Sequence, residues 1–196
     1  SGTMATGIAQ TAAQSGYEVV LRARSQKSLD AAIGGVRKNL EKLVAKEKIT
    51  QAAAEAAGVR LSGTLALEDL KGCDIVLESV AEELEAKQPL LEKIDALLDE
   101  DTILATNTSS LSITKLASLT RRPAHFIGMH FFNPVPMMKL VEVVRGLRTS
   151  DATVSAVHHL AERLGKVPID VKDAPGFVVN RVLFPMINEA AFALGE

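Results

Sequence analysis

The stretch "SGTMATGIAQ", residues 1–10, has the form of the second half of a glycine-rich turn that enters a helix. A turn of the type strand, G-x-G-x-x-G/A, helix lets the backbone approach a pyrophosphate closely, and the free N–H groups of the helix start face that anion. Gly2 fits the second glycine and Ala5 the third position. The first glycine and its strand would then lie upstream of Ser1. By itself the half-motif is equally compatible with an ordinary loop that enters a helix.

The segments that follow favour the dinucleotide-binding interpretation. "YEVVLRA", residues 17–23, comes at the distance expected for the second strand of a βαβ unit. Farther along, apolar strand patterns alternate with helical patterns of ten or more residues, which is typical of a parallel sheet covered by helices on both faces. The predicted fold class is therefore α/β, a doubly wound parallel sheet. The stretch "KDAPG", residues 172–176, predicts the boundary between a dinucleotide-binding domain at 1–172 and the beginning of a helical domain at 173–196.

Composition and charge exclude several classes of partner. The formal net charge is -2, so no overall basic field attracts nucleic acid or an anionic membrane surface. No uninterrupted apolar run reaches the roughly 18 residues that a membrane-spanning helix needs. The single cysteine, Cys73, forms no intramolecular disulfide and fits a reducing compartment, so a cytoplasmic protein is expected.

The end of the "YEVVLRA" strand bears on the choice between NAD and NADP. The NAD version of the motif places Asp or Glu there to accept hydrogen bonds from the ribose hydroxyls. This sequence has Ala23, between Arg22 and Arg24. Guanidinium groups without a carboxylate tolerate a 2′-phosphate, whereas the same arginines as solvated surface residues leave NAD as the cofactor. Both cofactors stay open on this evidence.

Two polar clusters follow apolar strands, at residues 107–110 and 130–133. Ligands of open α/β sheets bind outside the carboxyl ends of strands, so Ser109 and His130 are predicted to share one rim. If the strands on either side of Pro136 pair antiparallel, His130 lies opposite Glu142. A carboxylate on one imidazole nitrogen fixes the tautomer and leaves the other nitrogen to exchange a proton with substrate.

Four segments carry a resemblance that covers essentially the whole chain: "GTMATGIAQ", "ATNTSSLSITKLA", "GMHFFNPVPMMKLVEVVRG" and "DAPGFVVNRVLFPMINEA". In them the sequence resembles the short-chain 3-hydroxyacyl-CoA dehydrogenases, in particular their bacterial 3-hydroxybutyryl-CoA dehydrogenase branch. The resemblance implies a Rossmann-type domain followed by a mainly helical domain that forms a homodimer. It also implies an acyl-CoA substrate and hydride exchange between the C3 hydroxyl and a nicotinamide cofactor in fatty-acid or butanoate metabolism, without a metal.

The resemblance also assigns roles to individual residues. The catalytic residues it implies are His130, Glu142, Ser109 and Asn180. The cofactor-binding residues it implies are Gly2, Thr3, Met4, Glu82, Lys87 and Ser109, to which the ends of the predicted strands add Ala23, Arg24 and Asn107. The substrate-binding residues it implies are Ser109, Asn39, Lys46 and Asn180. The sequence departs from the family pattern at Ala23, where the ribose-binding Asp is usual, and the first strand and most of the second domain are expected to be missing.

Three other functions compete with this one. A related β-hydroxyacid dehydrogenase would use a lysine as its acid, which the "HFFNP" segment with Glu142 does not suit. A non-catalytic dinucleotide-binding structural protein would not need the set formed by Ser109, His130, Glu142 and Asn180. The chain could also belong to a multifunctional fatty-acid oxidation enzyme, which upstream sequence would decide.

Overall fold

Strands and helices alternate along the chain in the computed structural model, which describes residues 2–195. The helices are α1 (Thr3–Gln14), α2 (Gln26–Ala45), α3 (Gln51–Arg60), α4 (Leu84–Leu97), α5 (Ile113–Ala117), α6 (Asp151–Arg163) and α7 (Val179–Gly195). The strands are β1 (Val19–Arg22), β2 (Leu61–Thr64), β3 (Ile75–Glu78), β4 (Ile103–Thr106), β5 (Phe126–Phe131), β6 (Leu140–Arg145) and β7 (Val167–Lys172). The predicted α/β class is confirmed.

The strands form two sheets, one with the order β1-β2 and one with the order β3-β4-β5-β6-β7. All neighbouring pairs are parallel except β5 and β6, which pair antiparallel as the position of Pro136 predicts. Within residues 2–195 no strand joins β1 to β3, so the two sheets are separate. The carboxyl ends of β3, β4 and β5 meet at one edge of the larger sheet, where the site lies.

Small residues let helix α1 pack closely on two sides, with its alanines against α2 and α3 and Gly7 against the loop between β5 and β6. Ala9 and Ala13 are buried in the core. A Cβ added at Gly7 would come 2.9 Å from Cβ of Val135 in that loop, well inside normal contact distance. The glycine therefore sets how closely the start of α1 approaches the strand end that carries His130.

Helix α2 begins with a cap at Ser25. The Ser25 hydroxyl accepts the N–H of Ser28, and the Ser28 hydroxyl accepts the N–H of Ser25, which is a capping box. Leu29, Val36 and Leu40 on its apolar face are buried. This helix covers the smaller sheet.

Arg122 closes the C-terminal end of α4. Its Nε donates to Oδ1 of Asp95 at 2.6 Å, and its Nη2 donates to the carbonyl of Leu98 at 3.0 Å. Arg121 also binds the Asp95 carboxylate, through its backbone N–H at 2.9 Å. Burial raises the pKa of the Asp95 carboxyl, but the hydrogen bonds from both arginines and the Arg122 charge outweigh that effect and hold the pKa below its ordinary value.

The segment between β7 and α7 is bound to the sheet at both ends. At its start, the Asp173 carboxylate accepts the N–H groups of Ile113 and Thr114, at 2.9 and 2.8 Å, which begin α5. At its end, Oε1 of Glu142 accepts the N–H groups of Val178 and Val179, both at 2.9 Å. The predicted domain boundary at 172–173 coincides with this segment and stays a prediction. Over residues 2–195, the structure contains no helix that is both long and apolar enough to cross a membrane.

Candidate functional site

One cavity reaches from the start of α1, along the space between the two sheets, to the end of β5. Nine of the residues predicted from the sequence line it: Gly2, Thr3, Met4, Arg24, Glu82, Asn107, Ser109, His130 and Asn180. The structure therefore brings together residues that lie more than a hundred positions apart in the sequence. The remaining predicted residues lie behind this lining or away from it.

The start of α1 fits the pyrophosphate of a dinucleotide. Gly2 is the N-cap, no described side chain caps the helix, and its first turn contains no acidic residue. A Cβ added at Gly2 would meet no atom within 4 Å, so the backbone here is open to the cavity. Free N–H groups and the positive end of the helix dipole favour an anion at this position.

His130 and Glu142 form the pair that the hairpin argument predicts. They are directly opposite in the β5–β6 ladder, and Nδ1 of His130 lies 2.7 Å from Oε2 of Glu142. Glu142 is fully buried and His130 is 7% exposed. Because Nδ1 faces the carboxylate, Nε2 is the nitrogen available to a ligand in the cavity. This prediction of the pairing is confirmed.

Two aromatic side chains that sequence reasoning missed hold the imidazole in place. The ring centroids of Phe132 and Phe177 lie 4.5 and 5.7 Å from that of His130, both in tilted arrangements. Phe177 has φ +52°, a left-handed conformation that is rare for an aromatic residue. No periodic pattern signals these contacts, because Phe177 lies in the irregular segment before α7.

The turn that carries Ser109 is organised by the Glu82 carboxylate. Its Oε1 accepts the N–H groups of Ser109 and Ser110, at 2.6 and 3.0 Å, and the Ser109 hydroxyl at 3.1 Å. Burial raises the pKa of the Glu82 carboxyl, but the hydrogen bonds from Thr108 and Ser109 and the charge of Lys87 lower it below its ordinary value. Glu82 is therefore ionised at neutral pH.

Two of the predicted amides tie structural elements together. Oδ1 of Asn107 accepts the N–H of Phe131 at 2.9 Å, which fixes the end of β5 next to His130. Nδ2 of Asn180, on α7, donates to the carbonyl of Ser109 at 3.3 Å. Asn180 thus joins α7 to the rim of the cavity.

Five predicted residues do not line the cavity. Glu142 lies behind His130, and Lys87 is buried behind Glu82 with its Nζ 3.5 Å from Oε2 of that carboxylate. Ala23 is 1% exposed and its N–H donates to the carbonyl of Thr64. Asn39 donates to Oε1 of Gln10 at 3.3 Å, and Lys46 follows the end of α2. Direct ligand contacts of these five residues stay predictions.

The family model described as "3-hydroxyacyl-CoA dehydrogenase, NAD binding domain" matches residues 1–174. The 3-hydroxybutyryl-CoA dehydrogenase of Clostridioides difficile is 52% identical over 190 residues, covering 97% of this chain and 68% of that protein. The crystal structure of (S)-3-hydroxybutyryl-CoA dehydrogenase from Ralstonia eutropha superposes with a TM-score of 0.97 at 50% identity, covering 99% of this chain and 69% of that one.

Longer proteins contain the same unit. The fatty acid oxidation complex subunit alpha of Psychrobacter sp. is 43% identical over 185 residues, which are 94% of this chain and 26% of that protein. The sequence resemblance, the His–Glu pair and the uncapped helix start therefore agree with the comparisons. The chain belongs to the 3-hydroxyacyl-CoA dehydrogenase family, and residues 1–174 correspond to the NAD-binding domain of that family.

Proposed function

We propose that the protein catalyses the reversible oxidation of an (S)-3-hydroxyacyl-CoA to the 3-oxoacyl-CoA, with 3-hydroxybutyryl-CoA and acetoacetyl-CoA as the preferred pair. The observation that carries the proposal is the buried His130–Glu142 pair at the end of a cavity that begins at the uncapped start of α1. The names of the C. difficile and R. eutropha relatives support the same substrate.

The residues of the site divide the chemistry between them. When bound, a nicotinamide dinucleotide supplies the hydride acceptor or donor for C3 of the substrate. Nε2 of His130 takes the proton of the C3 hydroxyl in oxidation and returns it in reduction. The Glu142 carboxylate keeps the ring in orientation and stabilises the imidazolium that forms. Ser109 and Asn180 hold the ligands in line, and the Phe132 and Phe177 rings exclude water from the imidazole.

The cofactor preference is a finer proposal that depends on the end of β1. The family match supports NAD. The buried Ala23 offers no carboxylate to the ribose hydroxyls, while Arg24 lines the cavity, and both features favour acceptance of a 2′-phosphate. We therefore propose that the protein uses NADPH as well as NADH. Ala23→Asp is expected to shift the preference toward NADH because the new carboxylate repels the 2′-phosphate, and an unchanged ratio of the two kcat/KM values would contradict this.

The substrate's CoA moiety and the assembly of the protein are further proposals. Lys46 and Asn39 on α2 are proposed to contact CoA. Helix α7 exposes Val182, Phe184 and Ile187, each more than half accessible, which supports their coverage by further protein, proposed here to be a helical domain that forms a homodimer. A cytoplasmic location accords with the acyl-CoA substrate.

The test is an assay of the purified full-length protein with acetoacetyl-CoA and either NADH or NADPH, following loss of the reduced cofactor. Oxidation of at least one cofactor that depends on acetoacetyl-CoA is expected. Binding of the cofactor without turnover would instead favour a non-catalytic dinucleotide-binding protein. Oxidation of neither cofactor, with the protein folded, would overturn the enzymatic proposal.

A further inference from the structure

Lys166 lies in the turn between α6 and β7, away from the lining of the cavity. Gly165, with φ +71°, follows the end of α6, and the N–H of Lys166 donates to the carbonyl of Ala161 at 2.9 Å. The lysine is only 7% exposed, and in the described part of the chain its ammonium forms no ion pair with a carboxylate. Burial lowers the pKa of this ammonium below its ordinary value. Because a charge without a counter-ion is costly to bury, its hydrogen bonds indicate what it does.

The ammonium binds the loop between β5 and β6, at residues 134–138. Nζ of Lys166 donates to the carbonyls of Val135 and Met138, the second at 2.9 Å. Two residues of this loop are prolines and have no N–H, and the N–H of Met138 donates to the carbonyl of Pro134 at 3.0 Å. Among the described residues, neither Val135 nor Met138 accepts a backbone N–H. The ammonium therefore supplies the donor that the loop itself lacks.

The same loop packs against the start of α1. Val135 is 2% exposed and belongs to a hydrophobic cluster against which Met4 and Ile8 of α1 pack. A Cβ added at Gly7 would lie 2.9 Å from Cβ of Val135, so the helix backbone and the loop are already in close contact. The position of the loop, which Lys166 fixes, therefore determines where the anion-binding first turn of α1 lies.

The proton-transfer group is held by different contacts. His130 lies opposite Glu142 in the β5–β6 ladder, and Nδ1 of His130 is 2.7 Å from Oε2 of that carboxylate. In residues 2–195, neither hydrogen bond of the Lys166 ammonium goes to His130 or Glu142. Loss of the ammonium is therefore expected to displace the start of α1 and to leave the His130–Glu142 pair in place.

We propose that Lys166 is a positioning residue for dinucleotide binding, because its ammonium fixes the loop at residues 134–138 against which the anion-binding start of α1 packs. The inference rests on the proposed function for the identity of the ligand. It adds a residue that sequence reasoning did not single out and that does not touch the ligand. A lysine that only stabilises the fold would change the Tm without changing cofactor affinity at temperatures where the protein is folded.

The first test is steady-state kinetics of the full-length protein with acetoacetyl-CoA and NADH. Lys166→Met removes the donor and keeps an apolar side chain of similar length. It is expected to raise the KM for NADH by about tenfold and to change kcat by less than about threefold, because His130 stays paired with Glu142. The matched control is Lys172→Met, which removes an exposed lysine from β7 and is expected to change neither constant. An unchanged KM for NADH in folded Lys166→Met would overturn the proposal.

A double-mutant cycle on NADH affinity, measured by fluorescence titration, tests whether the effect passes through Val135. Lys166→Met is expected to weaken NADH binding by about tenfold when Val135 is present and by less than about threefold in the Val135→Ala background. Equal losses in both backgrounds would show that Lys166 does not act through Val135. Val135→Ala alone keeps the lysine and is expected to weaken NADH binding by about three- to tenfold. Unchanged affinity in that variant would contradict the proposal even if Lys166→Met does not fold.

Hydrogen–deuterium exchange of the full-length protein without ligand tests the structural step by itself. In Lys166→Met the Met137 and Met138 amides, which donate to the Pro134 carbonyl, are expected to exchange about tenfold faster or more. Exchange in β5 is expected to stay unchanged. Unchanged exchange of the loop amides would show that the ammonium does not hold the loop. NADH binding and turnover by the parent protein test the proposed function separately, so the two failures are distinguishable.

Discussion

One carboxylate, that of Glu142, bonds the imidazole of His130 through Oε2 and the first amides of helix α7 through Oε1. The same carboxylate therefore holds both the proton-transfer group and the helix that carries Asn180. Asn180 in turn bonds the carbonyl of Ser109. The cavity rim thus depends on contacts between the sheet and α7.

Replacement of His130 by Ala is expected to lower kcat by about 10²- to 10⁴-fold, the usual contribution of a positioned acid–base group. Steady-state kinetics with acetoacetyl-CoA measures this, and the KM for the cofactor is expected to change little. The matched control is His159→Ala, at an exposed position of α6. Near-normal kcat in His130→Ala would remove this residue from the mechanism.

Glu142→Gln is expected to weaken both sets of hydrogen bonds made by the Glu142 carboxylate, to His130 and to the start of α7. A carboxylate has two acceptor oxygens, whereas an amide has only one, so Gln at this position places its NH₂ against either His130 or the N–H groups of Val178 and Val179. We expect kcat to fall at least about tenfold and hydrogen exchange of the Val178 and Val179 amides to accelerate. An exposed Glu162→Gln variant serves as control. Normal kcat with normal exchange would contradict the proposal that Glu142 holds both His130 and the start of α7.

Arg24→Ala is expected to raise the KM for NADPH by about tenfold and to leave the KM for NADH nearly unchanged. The exposed guanidinium lines the cavity beside Ala23, where a 2′-phosphate would accept a charge-assisted hydrogen bond. Kinetics with both cofactors measures the effect, with Arg148→Ala as an exposed arginine outside the cavity lining. An equal change for both cofactors would show that Arg24 does not discriminate between them.

Gly7→Ala is expected to destabilise the protein by about 1–3 kcal/mol, because the added methyl group lies 2.9 Å from Cβ of Val135. Gly34→Ala is the matched control, since a Cβ there meets nothing within 4 Å in the middle of α2. That change is expected to stabilise the protein by about 0.5–1 kcal/mol. Urea unfolding of both variants measures the difference, and destabilisation of equal size would argue against a close-packing role for Gly7.

Asp95→Asn is expected to lower the free energy of unfolding by about 1–3 kcal/mol at neutral pH, since Arg122 loses its charged partner. The folded-state pKa of Asp95 lies below its unfolded value, so its stabilisation is present above about pH 4 and is lost as the pH falls. The difference between the parent protein and Asp95→Asn is therefore expected to shrink on acidification. Urea unfolding across this pH range tests it, with Asp101→Asn as an exposed control. A difference independent of pH would assign the effect to packing.

The sequence predicts those parts of the site that follow from strand register. The hairpin around Pro136 places Glu142 opposite His130, because antiparallel pairing relates residues by simple counting from the turn. The carboxyl ends of β4 and β5 likewise bring Ser109 and His130 to one rim.

Contacts between elements distant in sequence are not predictable in this way. The buried ion pair between Glu78 on β3 and Lys87 on α4 depends on where α4 lies over β3, and no periodic pattern encodes that position. The same holds for Arg122, which closes α4 from a loop after α5, and for Phe177 beside His130. Each depends on how separate elements pack, which a single sequence does not specify through local propensity.

The segment between β7 and α7 has the composition of a flexible linker, with "KDAPG" at its start. Asp173 binds one end of this segment to α5, and Glu142 binds the other end at Val178 and Val179. The segment is therefore fixed to the sheet. A rotation of α7 about the segment would have to break one of these carboxylate contacts. Such a rotation would also carry Asn180 away from the Ser109 carbonyl that it binds, so the cavity rim and the start of α7 move together or not at all.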